Sequence, residues 1–267
     1  MSFYVVQRNG GTATAEDLAP LAFTGYAHFT AAQVRGGLIK GLDLHLERLQ
    51  IASLAMFGRA LPDDLVRSRL RTALAAGPSD VSLLATVYSS TGEFTADDGA
   101  AELDLLVRTG APSSGPAGPL SLATVEHERF LPAVKHVGEV AKTYVMRQAV
   151  RQGFDDAAFL DRRGRLSEAS IWNLAFWDGE AVVWPSAEML GGTMMGTVRR
   201  QLERLGAPQR VQEVRPADLP GLSGAVVMNS WTPGIAVDRI GEAALPAAPS
   251  FVELLHAAHE AEPPVAP

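Results

Sequence analysis

Residues 129–173, RFLPAVKHVGEVAKTYVMRQAVRQGFDDAAFLDRRGRLSEASIWN, set a lysine, a helix, a strand and a glutamate one after another, and that order decides how the rest of the chain is read. Lys135 ends an LPAV segment in which Pro132 biases its neighbours away from helix. The lysine is therefore expected at the C-terminal end of a strand, its ammonium facing a cleft. Few helix breakers from about Glu139 to Gln152 predict a helix. After Gly153, AAFLD predicts a buried strand, RRGR a turn, and SEASIWNLAFW one further strand with Glu168 at its start. Lys135 and Glu168 are thus expected on adjacent elements.

Working outward, FYVVQRNGGTAT predicts a β-hairpin, because Asn9-Gly10 supplies the positive φ values of a tight turn. FTAAQVRGGLIKG predicts strand, Gly-Gly turn and strand. A helix follows from Asp43, with Leu44, Leu46, Leu49, Leu54 and Met56 as its apolar side and Gly58 beyond its end. A second helix, Pro62 to Ala76, carries Asp63 and Asp64 in its first turn, as the helix dipole favours. Strands are predicted at VSLLATVYSS and ELDLLVRTG. TGAPSSGPAGP cannot hold regular structure and separates two domains: residues 1–110, a linker at 111–119, and residues 120–267. The second domain is expected to hold a hairpin at Asp178-Gly179, a helix from about Gly196 to Leu205, a strand GAVVMNSW and a closing helix PSFVELLHAAHEA. The terminal EPPVAP is expected to fray.

The 267 residues are 47% hydrophobic and 20% charged, the balance of an ordinary globular chain with a sizeable core. A formal charge of −7 argues against a nucleic-acid or anionic-membrane surface. No cysteine is present, which excludes disulfides, a thiolate zinc site and a cysteine nucleophile, and fits a cytoplasmic protein. The N-terminus reads as no signal peptide, no apolar run reaches transmembrane length, and no metal site is expected. Lysines number three, Lys40, Lys135 and Lys142, among 23 lysines and arginines. Lys142, seven residues into the expected helix, is placed on a solvated face.

A lysine amine and a carboxylate on neighbouring elements suit pyridoxal phosphate (PLP). Its chemistry needs an amine to hold the aldehyde, an acid to keep the pyridine nitrogen protonated, and a cup for the phosphate. Lys135 can supply the first and Glu168 the second. Arg48, the helix start near Gly196 and Ser230 can supply the third. Singly, each is ordinary: an arginine on an amphipathic helix is usually solvated.

The motifs HFTAAQV, LDLHLERL, RFLPAVKH, AAFLDRRGRLSEASIWNLAFW, MMGTVRR and MNSWTPGIAV span about Gly25 to Val237. Together they resemble the class IV aminotransferases of PLP fold type IV, which include branched-chain and D-amino acid aminotransferases and 4-amino-4-deoxychorismate lyases. The resemblance implies an α+β, two-domain fold like that of D-amino acid aminotransferase, with a small N-terminal α/β domain and a larger, β-rich, PLP-binding C-terminal domain. It implies that Lys135 forms the internal aldimine, Glu168 meets the pyridine nitrogen and Arg48 binds phosphate. It also implies that the amides of Thr197 and Val198, with Ser230 and Trp231, complete the phosphate cup. Tyr26, His28, Arg108 and Trp231 are the candidates for the substrate pocket.

The implied activity is transfer of an amino group between an amino acid or amine and a keto acid, by a homodimer. The alternatives are a 4-amino-4-deoxychorismate lyase and a PLP-binding protein without turnover. Phe29-Thr30-Ala31 and Lys135-His136 lean towards the lyases, whereas Ser89-Ser90 stands where lyase relatives carry an S-R pair. Val140 stands where many transaminases carry a tyrosine, and Ile171 and Trp172 are expected to fill the site with bulk.

Overall fold

The computed structural model describes residues 3–23, 25–90 and 102–267, and the chain forms two compact units. One comprises the residues up to Ser113 together with Ala133–Gly138 and Pro263–Pro267; the other comprises Ser114–Pro132 and Glu139–Glu262. The division falls inside the Pro- and Gly-rich stretch. Two short segments beyond it, one of them carrying Lys135, nevertheless pack with the first unit.

The first unit opens with the hairpin β1 (Phe3–Arg8) and β2 (Gly11–Thr12), whose turn holds Asn9 at φ 52° and Gly10 at φ 89°. After α1 (Ala15–Phe23) come β3 (Ala27–Arg35) and β4 (Leu38–Lys40), joined through Gly36 and Gly37. Helix α2 (Leu42–Phe57) ends at Gly58, whose φ of 67° lets its amide reach the Leu54 carbonyl. Helix α3 (Asp63–Ala75) and strands β5 (Val81–Ser89) and β6 (Leu103–Gly110) complete the unit. The sheet runs Pro264–Val265, β4, β3, β5, β6, β1, β2. Alternate residues of β3, β5 and β6, among them Val34, Leu83, Val87 and Leu105, are buried with Leu46 and Leu49 of α2 and Leu70 of α3. The period of two thus meets the period of 3.6 across one layer.

EPPVAP does not stand free of the fold. Pro264 and Val265 pair with Lys40 and Ile39 of β4, and Arg71 Nη1 donates to the Pro267 carbonyl at 2.8 Å.

In the second unit β7 (Leu120–Glu126), α4 (Val140–Arg151) and β8 (Asp156–Leu160) form a parallel crossover. There follow β9 (Leu166–Ala169), β10 (Asn173–Trp177), β11 (Val182–Pro185), α5 (Thr193–Arg204), β12 (Gln209–Gln212), β13 (Gly224–Asn229), β14 (Thr232–Ile240) and α6 (Pro249–Glu260). The sheet order is β12-β11-β10-β13-β14-β7-β8-β9, and β9 pairs back onto β10, so that six strands close into a ring. Leu122, Leu174, Phe176 and Val227 belong to one buried cluster. Ala175 and Val226, one residue along and so on the opposite face, pack with α5 and α6.

The segment expected as one strand at SEASIWNLAFW is two, broken at Ser170–Trp172. Asp156 is the cause. Its buried Oδ2 accepts from Ser170 Oγ at 2.7 Å and from Trp172 Nε1 at 2.9 Å, which draws the connection inward. Trp172 is therefore packed in the core, 4% exposed, and only Ile171 of that pair is exposed.

Candidate active site

Lys135 lies in a loop rather than at a strand end. The chain turns at Pro132–Ala133, next to Leu131 at φ 53°, and then runs beside β3. The Phe29 amide donates to the Lys135 carbonyl at 2.9 Å, the Val137 amide donates to the Ala27 carbonyl at 2.9 Å, and His136 bridges to His28. The reason lies in β4, which meets β3 at Val34 and Arg35 and so leaves the start of β3 with an open edge on that side. Lys135 Nζ sits 4.9 Å from the centroid of the Phe29 ring.

Other candidates in this unit separate by burial. Arg48 is half-buried on α2, and its charge, after burial itself, helps hold the enclosed His45 imidazole down to about 3. His28 does not line an open pocket. It is fully buried, bonded through Nε2 to Ser53 Oγ at 2.8 Å, and burial lowers its pKa to about 4. Tyr26 is exposed, but its hydroxyl donates to the Met56 carbonyl at 2.6 Å. Arg108 is half-buried near the middle of β6, its guanidinium 5.1 Å from the Phe3 ring centroid, and desolvation lowers its pKa.

In the second unit Glu168 sits on β9, 4% exposed. Lys142 Nζ donates to its Oε1 at 2.8 Å, and Arg129 Nη1 stands 3.7 Å from the same oxygen. Arg129 Nη2 in turn meets Glu139 Oε1 at 2.5 Å. Lys142 is thus buried, 5% exposed, and not on a solvated face. It shares a helix face with Val145 and Ala149, three and seven residues on, and both of these pack on Phe159 of β8. That spacing was the signal by which sequence could have found Lys142. Burial, and next the charge of Lys142, lowers the pKa of His127, whose ring lies 4.6 Å from that of Phe159.

Thr197 and Val198 are the fifth and sixth residues of α5, which starts at Thr193. At those positions an amide bonds back into its own helix. The amides without such a partner are those of Thr193, Met194 and Met195. The earlier start follows from Gly192, whose extended backbone caps the helix and whose carbonyl takes the Gly196 amide at 2.9 Å. Ser230 is half-buried between β13 and β14, whereas the Trp231 amide is taken by Asn229 Oδ1 at 2.8 Å.

The donor set is of a kind that PLP needs: both cations beside Glu168 meet its Oε1, and among the described residues no hydrogen bond reaches Oε2, the oxygen a protonated ring nitrogen would meet. Among the described residues no cluster of His, Asp and Glu could hold a metal ion, and no helix is long and apolar enough to cross a membrane.

The chain belongs to the class IV aminotransferase family, whose model matches residues 27–240. A search of curated proteins finds no significant match. Among solved structures, the fold is similar to a branched-chain aminotransferase from Thermoproteus uzoniensis with norvaline. The TM-score there is 0.84 at 16% identity, covering 97% of this chain and 94% of that one. A putative 4-amino-4-deoxychorismate lyase from Legionella pneumophila gives 0.79 at 16% identity, covering 93% and 95%. The PLP-bound form of a hypothetical aminotransferase from Mycobacterium tuberculosis gives 0.78 at 21% identity, covering 96% and 98%.

Proposed function

We propose that this chain is a PLP-dependent aminotransferase that moves an amino group between an amino acid or amine and a keto acid. The supporting observation is Glu168, a buried carboxylate held at Oε1 and, among the described residues, without a hydrogen bond at Oε2, in a chain of this family. When bound, PLP supplies an aldehyde that condenses with amines and a ring that takes up electron density from the substrate carbon. Glu168 Oε2 keeps a proton on the ring nitrogen. Lys135 Nζ holds the aldehyde between turnovers and carries the proton that leaves the substrate carbon. Arg48, the first-turn amides of α5 and the Ser230 hydroxyl take the phosphate dianion. Arg108, whose buried Nε has no hydrogen bond among the described residues, meets a substrate carboxylate. The working unit is a homodimer, which light scattering of the purified protein tests.

Borohydride reduction of the yellow protein followed by peptide mapping is expected to place the cofactor on Lys135. Bleaching by an amino donor without a keto acid supports transamination. Pyruvate release from 4-amino-4-deoxychorismate without bleaching selects the lyase, the reading that Phe29-Thr30-Ala31 and Lys135-His136 favour. A yellow species inert to both selects binding without turnover. A colourless protein that traps no cofactor ends the PLP reading.

A further inference from the structure

Burying an ammonium is unfavourable unless a counter-charge repays the lost hydration, and an apolar or amide side chain would fill the same space with less desolvation. Lys142 is nevertheless buried, with its Nζ 2.8 Å from Glu168 Oε1 and 5.6 Å from the centroid of the Phe159 ring. What packing leaves unexplained is its charge, which reaches the carboxylate with little water to screen it.

We propose that Lys142 is a positioning residue that sets how strongly Glu168 holds a proton on the ring nitrogen of PLP, an inference that rests on reading the chain as a PLP protein. Two effects combine. By fixing Oε1, Lys142 leaves Oε2 as the one oxygen that can face the ring. By sharing the negative charge, it weakens the pull of that oxygen. Lys142 and Arg129 both face Glu168 Oε1, at 2.8 and 3.7 Å, so its negative charge is already shared with two cations before any cofactor arrives. A protonated ring nitrogen adds a further positive charge beside that carboxylate, whereas a neutral one adds none. The ring nitrogen therefore holds its proton less firmly here than beside an unshared carboxylate, and the electron sink is muted.

The test compares the affinity of the apoprotein for PLP with that for an analogue carrying CH in place of the ring nitrogen, read by fluorescence quenching without turnover. Wild type is expected to prefer PLP by less than about tenfold, below the range of a full charge-assisted hydrogen bond. Lys142→Gln, which can keep a hydrogen bond to Oε1 without the charge, is expected to widen that preference by about tenfold, and Lys142→Met by at least as much. Lys142→Arg is expected to keep the wild-type ratio. An unchanged ratio in either neutral variant overturns the proposal. So does a wild-type preference above about a hundredfold, which needs no variant to fold. If wild type binds neither compound, it is the PLP reading itself that has failed.

Discussion

Gly192 and Asn173 pack so closely that a Cβ on the glycine would lie 1.8 Å from Asn173 Oδ1, while Asn173 Nδ2 donates to the Leu190 carbonyl at 2.7 Å. This contact fixes where α5 begins, and with it the three first-turn amides that have no carbonyl of their own helix to meet. Gly192→Ala is expected to destabilise the protein by about 3 kcal/mol, the upper part of the range for overpacking. It should also weaken PLP binding in whatever remains folded. Urea unfolding of the apoprotein and a cofactor titration measure the two effects.

Arg129 and Glu139 stand on either side of the 133–138 segment, joined at 2.5 Å. Arg129→Met is expected to loosen that segment. Phe130, 80% exposed, then becomes the reporter, with chymotryptic cleavage after it accelerated by about tenfold, the effect of an opening made easier by about 1.4 kcal/mol. An unchanged cleavage rate removes the pair's structural role.

Acid stability follows from two histidines. Burial holds His28 at about 4 and His45 at about 3 when folded, against the ordinary 6.5. Both are neutral in the folded chain and take a proton below that value only when unfolded. Their contribution is thus complete above the unfolded pKa and is lost as pH falls towards the folded one, at up to about 1.4 kcal/mol per pH unit each. His45→Asn is expected to flatten the fall in unfolding free energy between pH 6 and 4 by about that slope, whatever its effect at neutral pH.

Glu262 is buried and accepts from Arg200 Nε at 3.0 Å and from Gln201 Nε2 in a shorter contact, tying the chain after α6 to α5. Glu262→Ala is expected to cost about 2 kcal/mol, less than a fully enclosed pair because Arg200 is partly exposed, and Glu262→Gln about half of that. Thermal unfolding of the three proteins gives the comparison.

Much of the fold is legible wherever backbone dihedral demand or hydrophobic period alone decides it. Asn9-Gly10, Gly36-Gly37 and Gly58 sit where positive φ is required, and the starts and ends of α2 and α3 follow from charge order and apolar spacing. Two misses share one cause, a buried polar group whose partner is distant in sequence. Glu168 lies 26 residues from Lys142, so the helix looked solvated there. Asp156 lies 14 residues from Ser170, so the strand looked continuous. The loop holding Lys135 was invisible because its partner is a strand edge left open by the shortness of β4. At the candidate site, which oxygen, amide or imidazole is already engaged was not legible, since that is settled by contacts between elements.

The two-residue strand at Pro264–Val265 closes the β4 edge of the first sheet. Left bare, that edge would offer unpaired amides and carbonyls on which another chain could add a strand. The closing strand cannot serve as such a template in turn, because Pro263, Pro264 and Pro267 lack the amide hydrogens that continued pairing needs. The prolines make this end of the sheet a terminus for pairing, protecting the chain against edge-to-edge aggregation.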